Sequence, residues 1–203
     1  TKGYAKTLPE KLPTYQEDCL KIYDAVEYYG NAFNVPIIAY HGDKDPQAQA
    51  ARNIEARVKN LTKQFQILEA AGLGHSFPPE QQRRVFSAMQ PFVKKGRDEY
   101  PRSIRATTYT LRYNQFGWLE IHSLKRHYDQ ATVEADYSES EYLLKTDNVR
   151  VLGIKLSSQP PNPLTVRIDG QVLAPVPYTN RLGYQEVYLE QLDGKWKSLL
   201  QIG

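Results

Sequence analysis

The first half of the chain alternates apolar stretches of helical spacing with short apolar runs of strand spacing. Thr14 to Glu17 matches a capping box, and the apolar residues after it recur at helical spacing until Gly30, a natural helix end. The predicted elements, in order, are a helix over 14–29, a strand over 35–40, a helix over 48–61, a strand over 65–70 and a helix from Glu80 that Pro91 could kink. Strands that alternate with helices predict a parallel sheet with covering helices, which is an α/β fold class.

The second half of the chain follows a different pattern. A polar stretch with Gly and Pro, residues 94–101, leads into segments in which apolar and polar residues alternate with a period of two. Two Asp-Gly pairs, Asp169-Gly170 and Asp193-Gly194, lie between such segments and indicate β-hairpins. The pattern predicts an all-β, antiparallel, sandwich-like domain over residues 100–203, after an α/β segment over residues 1–99.

Two features indicate that the α/β segment is incomplete by itself. Two strands are too few for a stable sheet, and the chain begins at Thr1 without an initiator Met or a signal-peptide pattern. We therefore expect the remaining strands in an upstream part of the same parent chain, which would be a partner of these residues. An apolar edge left open in this way could also let the fragment self-associate.

Composition restricts the class of protein without deciding its function. Hydrophobic residues make up 40% and charged residues 24% of the chain, as in ordinary globular proteins. The net charge of +3 is not concentrated in either half, so we expect no nucleic-acid partner. No apolar run approaches the roughly 20 residues of a membrane-spanning helix, so no transmembrane segment is predicted. Cys19 is the single cysteine, which excludes an internal disulfide.

Candidate catalytic residues follow both predicted strands. The sequence His41-Gly42-Asp43-Lys44-Asp45 comes directly after the first strand, and Gly74-His75 follows the second. Because active sites of open α/β sheets lie at the carboxyl ends of the strands, Asp45 and His75 are expected at the same edge. A carboxylate that orients an imidazole is the acid–base part of a catalytic triad, and α/β-hydrolases also place the Asp before the His.

Each of these residues also has a purely structural interpretation. Asp43 and Asp45 are favoured in turns, and Asp45 precedes Pro46 at a predicted helix start, where it could be an N-cap. Asp43 is an alternative acid. His75 could be a loop histidine that is bonded to the backbone. The four histidines lack zinc-ligand spacing, so no metal site is predicted.

The segment 30–95 resembles the end of the prolyl oligopeptidase-like α/β-hydrolases. The resemblance rests, in order, on the strand ending at Tyr40, the turn His41 to Asp45, a helix, a second strand, Gly74-His75 and a final helix. It implies that residues 1–99 are the C-terminal segment of an α/β-hydrolase domain, with Asp45 as triad acid and His75 as base. It further implies a serine peptidase or esterase that acts on a peptide or ester substrate without a cofactor, in a secreted or periplasmic location.

The chain departs from that family at the nucleophile. No Gly-x-Ser-x-Gly elbow is present: Ser76 is the nearest approach, but Pro78 replaces the last Gly and no later Asp…His pair follows in the expected order. The nucleophile and the oxyanion-hole donors are therefore expected upstream of Thr1. The fragment alone is expected to be inactive.

Two other functions fit the sequence. The parent could be a pseudo-hydrolase whose β-domain is a non-catalytic module that binds a glycan or a protein partner. Tyr109 and Tyr113 are predicted on one strand face, where they would form an aromatic platform for sugars or part of the core. His122 and His127 are expected to be surface or packing residues. The third function is a structural domain pair that holds an oligomer together.

Overall fold

The computed structural model describes residues 11–62, 64–138, 141–160, 162–181 and 184–202. The chain forms two compact units. The α/β unit comprises residues 25–98. The β unit comprises residues 99–202 together with residues 11–24, which contain helix α1 at Thr14–Lys21.

The α/β unit is built on two parallel strands. It contains a 3₁₀ helix at Ala25–Phe33, strand β1 at Ile37–Gly42, helix α2 at Ala48–Val58, strand β2 at Phe65–Ala70 and helix α3 at Pro79–Lys95. The β1–β2 register runs from Ile37 opposite Phe65 to Gly42 opposite Ala70. The predicted order strand, helix, strand, helix is confirmed, and parallel pairing brings the C-terminal ends of both strands to one edge. β1 extends two residues beyond Tyr40, its predicted end, so the turn begins later than expected.

The N-terminal helix is shorter than predicted and begins differently. Thr14 is the first helical residue, and Pro13 takes the N-cap position without a side-chain hydrogen bond. The carbonyl oxygen of Pro13 accepts the backbone N–H groups of Gln16 and Glu17 at 2.9 and 3.1 Å. The predicted helix end at Gly30 is wrong, since Gly30 lies inside the separate 3₁₀ helix. Because Thr14 is already helical, one position past the N-cap, the capping box predicted from its hydroxyl does not form.

Helix α3 keeps its predicted apolar face but leaves that face exposed. It begins with a proline at its first position, where the missing backbone N–H costs nothing. None of its side chains is buried, and Phe86, Met89 and Val93 are 56%, 41% and 63% exposed. The buried side chains in the described part of this unit are Ala32, His41, Ala48, Val58, Leu68 and Ala70. The α/β unit therefore has a small core.

The β unit contains two sheets. Its strands are β3 (Ser103–Thr108), β4 (Gln115–Phe116), β5 (Leu119–Leu124), β6 (Ala131–Tyr137), β7 (Glu141–Asp147), β8 (Val149–Lys155), β9 (Thr165–Ile168), β10 (Gln171–Leu173), β11 (Thr179–Arg181), β12 (Tyr184–Leu192) and β13 (Lys195–Leu199). The five-stranded sheet has the order β10-β9-β7-β6-β3. The six-stranded sheet has the order β11-β12-β8-β5-β4, with β13 also paired to β12.

Both predicted Asp-Gly hairpins are confirmed. They close β9–β10 and β12–β13, and both residues of each turn have positive φ. The φ angles are 49° and 80° at Asp169 and Gly170, and 50° and 76° at Asp193 and Gly194. Left-handed backbone at both central positions is the turn geometry that matches the twist of the flanking strands.

One hydrophobic core includes side chains of both sheets. Its fully buried members include Ile104 and Ile168 from the five-stranded sheet and Leu152 from the six-stranded sheet. Trp118 lies in the same cluster and donates its indole N–H to the carbonyl oxygen of Pro101 at 2.7 Å, so its polar atom is satisfied. The coarse fold prediction, a mixed α/β chain whose C-terminal half is mostly strand, is confirmed.

The prediction of a purely antiparallel β-domain is wrong at one strand pair. β7 and β9 pair in parallel, from Glu141 opposite Thr165 to Leu144 opposite Ile168. The reason is topological, because the intervening strand β8 belongs to the six-stranded sheet. The chain crosses to that sheet and returns, and it therefore re-enters beside β7 in the same direction.

The predicted tyrosine stripe is also wrong. β3 ends before Tyr109, which is only 4% exposed, and Tyr113 lies in a 3₁₀ helix at Leu111–Tyr113. The hydroxyl of Thr110 accepts the backbone N–H of Arg112 at 3.3 Å. Local side-chain bonds of this kind compete with strand pairing, which explains why the alternation in this segment does not form a strand. The two tyrosines therefore do not form a shared aromatic platform.

Candidate functional site

The turn after β1 fixes the backbone of Asp45. The N–H of Asp43 donates to the carbonyl oxygen of Ala70 at 3.0 Å, and the N–H of Asp45 donates to that of Gly42 at 3.1 Å. Oδ1 of Asp45 accepts the backbone N–H of Gln47, two residues further on, at 2.8 Å. This bond forms an Asx turn at the entry to α2. The turn role expected for Asp45 is therefore present and occupies one carboxylate oxygen, whereas the N-cap role is wrong, because Gln47 holds the N-cap position of α2.

The loop after β2 carries His75. Tyr40 of β1 donates its hydroxyl to the carbonyl oxygen of Ser76 at 3.0 Å, and its ring centroid lies 4.6 Å from that of Phe77. Gln82 of α3 donates its side-chain amide to the carbonyl oxygen of Phe77 at 2.8 Å. The loop is thus attached to both β1 and α3.

Gly42 lets the two loops approach each other closely. A Cβ atom at this position would lie 2.0 Å from the carbonyl oxygen of Leu73 and 2.6 Å from that of Gly74. The N–H of Lys44 donates to the same Leu73 oxygen at 2.9 Å. Because any side chain would separate the two backbones, glycine sets the spacing between the turn after β1 and the loop after β2.

The two predicted site residues, Asp45 and His75, lie together. Nδ1 of His75 is 3.0 Å from Oδ2 of Asp45, the oxygen that the Asx turn does not use. The Asp45 side chain is 8% exposed, whereas the His75 side chain is 70% exposed. A nearly buried carboxylate therefore holds one nitrogen of an imidazole that is open to solvent. The catalytic role of the pair stays a prediction.

Asp45 is held in its ionised form. The backbone N–H of Gln47 is the largest cause of a pKa below the ordinary value of 3.8 for this carboxyl, and the hydrogen bond from His75 lowers the pKa further. Desolvation raises the pKa but does not outweigh these bonds. Since an ionised carboxylate only accepts hydrogen bonds, we assign the shared hydrogen to Nδ1 of His75. The neutral imidazole then carries its lone pair on Nε2.

His41 is a buried histidine beside this turn. It is 4% exposed, and its Nδ1 lies 3.0 Å from the carbonyl oxygen of Gly42, which also accepts the N–H of Asp45. The same nitrogen is 3.8 Å from Oε2 of Glu69, the residue opposite His41 on β2. Its Nε2 is buried without a hydrogen-bond partner among the described residues. His41 therefore packs inside the unit and stabilises the turn backbone.

The structure places the alternative site residues differently. Asp43 is exposed, and the hydrogen bond that orders it comes from its backbone. Ser76 is exposed, and within the described residues its hydroxyl makes no hydrogen bond to His75. In the β unit, His122 packs against an aromatic ring and His127 is exposed. Within the α/β unit, neither Asp43 nor Ser76 makes a side-chain hydrogen bond or ion pair with Asp45 or His75 among the described residues.

In the described part of the chain, no group of three or more His, Cys, Asp or Glu side chains is arranged to hold a metal ion. No helix there has both the length and the apolar character needed to span a membrane.

Sequence patterns do not identify the residues that hold the pair in place. The apolar pattern assigns Tyr40 only to the body of β1, and its hydroxyl partner is a backbone carbonyl 36 residues away. No sequence signal marks a hydrogen bond of that kind. The close backbone approach at Gly42 does have a signal, because a glycine in a strand often marks close approach of another backbone.

Comparisons with known proteins assign no family to this chain. No protein-family model, curated protein or solved structure matches it.

Proposed function

We propose that this chain carries the acid and the base of a serine-hydrolase triad, and that its α/β unit is the C-terminal part of a prolyl oligopeptidase-like α/β-hydrolase. The observation that carries the proposal is the 3.0 Å contact between Oδ2 of Asp45 and Nδ1 of His75. The two residues follow parallel neighbouring strands, in the order Asp then His. Loops at the carboxyl ends of strands deliver the acid and base in this fold class.

In the proposed reaction, His75 is the general base and Asp45 orients it. A serine outside these 203 residues gives its hydroxyl proton to Nε2 of His75 while its oxygen attacks the carbonyl carbon of a peptide or ester. The carboxylate stabilises the imidazolium that forms. The imidazolium then protonates the leaving amine or alcohol, which leaves an acyl-enzyme. Water, deprotonated by the same nitrogen, releases the acid and restores the serine.

The unequal exposure of the two side chains supports these roles. Asp45 is nearly buried and accepts hydrogen bonds on both oxygens, so its position and charge persist while a proton moves at His75. His75 is open to solvent, as an imidazole that must reach both a nucleophile and a substrate has to be.

The test is labelling of the full-length parent with a fluorophosphonate probe, followed by mass spectrometry of the labelled residue. We expect a labelled serine upstream of Thr1 and no labelling in His75→Ala. Asp45→Asn should slow the reaction by about 10⁴-fold, because the imidazole loses the carboxylate that fixes its tautomer.

The matched control is His127→Ala, which removes an exposed histidine of the β unit and should label like the wild type. Labelling that persists in His75→Ala would contradict the proposal. A folded parent that is not labelled at all would favour the pseudo-hydrolase.

A further inference from the structure

A groove in the β unit takes no part in the chemistry proposed above. Its volume is about 720 Å³, within the range of roughly 300–1,000 Å³ that is typical of small-molecule sites. Residues of β6, β7 and the β9–β10 turn line it. Two further side chains come from the region of the six-stranded sheet: Lys125, directly after β5, and Gln191 of β12. The groove is therefore a feature of the β unit alone.

Four polar side chains of the groove have unused hydrogen-bonding capacity. Lys125, Glu134, Lys145 and Gln191 have no hydrogen-bond or ion-pair partner for their side chains among the described residues. Glu134 and Lys145 lie opposite each other across β6 and β7, yet they do not form an ion pair. The groove thus presents two ammonium donors, one carboxylate acceptor and one amide that can do both.

The other two carboxylates of the groove are already engaged. Asp136 pairs with Arg105 at 3.4 Å. Asp169 accepts the backbone N–H and the hydroxyl of Thr146, each at 2.7 Å, and the indole N–H of Trp196 at 2.8 Å. These bonds fix the wall of the groove and leave recognition to the four unengaged side chains.

Charge balance indicates the class of ligand. The lining carries two lysines, Lys125 and Lys145, against three carboxylates, and Arg105 adds a third cation through its pair with Asp136. With three charges of each sign the groove does not select a strongly anionic or cationic ligand. Unpaired donors and acceptors side by side suit an uncharged ligand with many hydroxyl groups.

The strand order argues against an extended peptide as the ligand. β6 and β7 both lie inside the five-stranded sheet, so their backbone groups already pair with strands on either side. A peptide that binds by strand addition needs an exposed sheet edge. Leu143, which is 51% exposed in the groove, instead offers an apolar contact for the C–H face of a sugar ring.

We propose that this groove binds a neutral oligosaccharide. Glu134 accepts hydrogen bonds from sugar hydroxyls, Lys125 and Lys145 donate to sugar oxygens, and Gln191 does both. The proposal does not depend on the hydrolase activity, since it rests on the β unit alone.

The experiment is an NMR titration of the 203-residue chain with cellotetraose, maltotetraose and xylotetraose, with trigalacturonate and a neutral tetrapeptide as comparators. We expect saturable shifts in the groove residues with at least one neutral tetrasaccharide. The double variant Glu134→Gln/Lys145→Gln should weaken binding by about tenfold or more. Lys195→Gln, an exposed lysine outside the groove, is the matched control and should bind like the wild type.

Three results would overturn the proposal: no saturable shift with any neutral tetrasaccharide at millimolar concentration, shifts only with trigalacturonate or the peptide, or wild-type binding by the double variant. Unchanged resonances outside the groove establish that the variant is folded. If it does not fold, Gln191→Ala replaces it, and wild-type affinity in that variant would equally contradict the proposal.

Discussion

At the scale of single residues, Gly42→Ala tests the geometry of the Asp45–His75 pair. The new methyl group would meet a backbone oxygen at 2.0 Å, and backbone atoms cannot move aside as cheaply as a side-chain end. We expect a loss of about 1–3 kcal/mol in the free energy of unfolding of the α/β unit. We also expect loss of the Nδ1–H proton signal of His75, because the loops must separate. Urea unfolding and NMR measure the two effects.

Gly74→Ala is the matched control for that substitution. It lies next to His75, but a Cβ atom there would have no neighbour within 4 Å, and its φ is not in the left-handed range. This variant should keep the proton signal and lose no stability, because an unstrained alanine restricts the unfolded chain. Equal effects of the two variants would show that close backbone approach at Gly42 does not control the pair.

The ionisation of Asp45 predicts a pH dependence of stability. Its pKa is lowered in the folded state, so the ionised carboxylate contributes stability above the ordinary pKa of 3.8. That contribution decreases as the pH falls below 3.8 towards the folded-state pKa. The wild type should therefore be more stable than Asp45→Asn at neutral pH, and the difference should narrow as the pH passes down through 3.8.

Urea unfolding of both proteins at several pH values measures that difference. Asp43→Asn, which removes an exposed carboxylate from the same turn, controls for the general effect of one negative charge. A stability difference between wild type and Asp45→Asn that stays constant with pH would show that the ionised state of Asp45 does not stabilise the unit.

At the scale of elements, the two Asp-Gly hairpins allow a matched comparison. Asp169 and Asp193 have similar left-handed φ angles, 49° and 50°, but different surroundings. Asp169 binds Thr146 of β7 and Trp196 of β13, whereas the carboxylate of Asp193 has no hydrogen bond among the described residues. Asp169→Ala should therefore cost about 1–3 kcal/mol more than Asp193→Ala in the free energy of unfolding, measured with urea. Equal costs would mean that the carboxylate bonds of Asp169 add nothing beyond the turn.

The elements that sequence patterns predict correctly are those with local causes. The Asp-Gly hairpins form where expected because the left-handed turn is a property of two adjacent residues. β2 has its predicted bounds, since its apolar run ends at turn residues. The parallel pairing of β9 has no such local cause. It follows from the route of the chain between two sheets, which no residue in β9 specifies.

At the scale of the whole molecule, the two units differ in the size of their cores. A cluster of buried side chains joins both sheets of the β unit, whereas the α/β unit buries few apolar residues. Backbone amides of β5 and β8 should therefore exchange with solvent at least about tenfold more slowly than those of β1 and β2. Hydrogen exchange followed by NMR measures this. Equal protection would contradict the argument from core size.

We also expect copies of this chain to self-associate. In the described part of the chain β1 and β2 pair only with each other, and α3 exposes Phe86, Met89 and Val93. Unpaired strand edges and apolar patches favour association of copies. Sedimentation velocity should show concentration-dependent association that Phe86→Ser weakens and Gln90→Ser, a polar site on the same helix, does not. Monomer at all concentrations would contradict this prediction.

Features that depend on neighbouring residues follow from the amino-acid pattern alone: the alternation of helices and strands, the Asp-Gly hairpins, and the two loops that carry Asp45 and His75. How those two loops meet depends on the folded chain. Gly42 approaches Leu73, Tyr40 donates to Ser76 and Asp45 contacts His75, and the residues of each pair are 30 or more positions apart. The third contact also selects the carboxylate of Asp45 over that of Asp43. The physical reason is that hydrophobic periodicity reports which face of an element is buried, whereas a hydrogen bond between loops depends on strand register, which is fixed only when the strands pair.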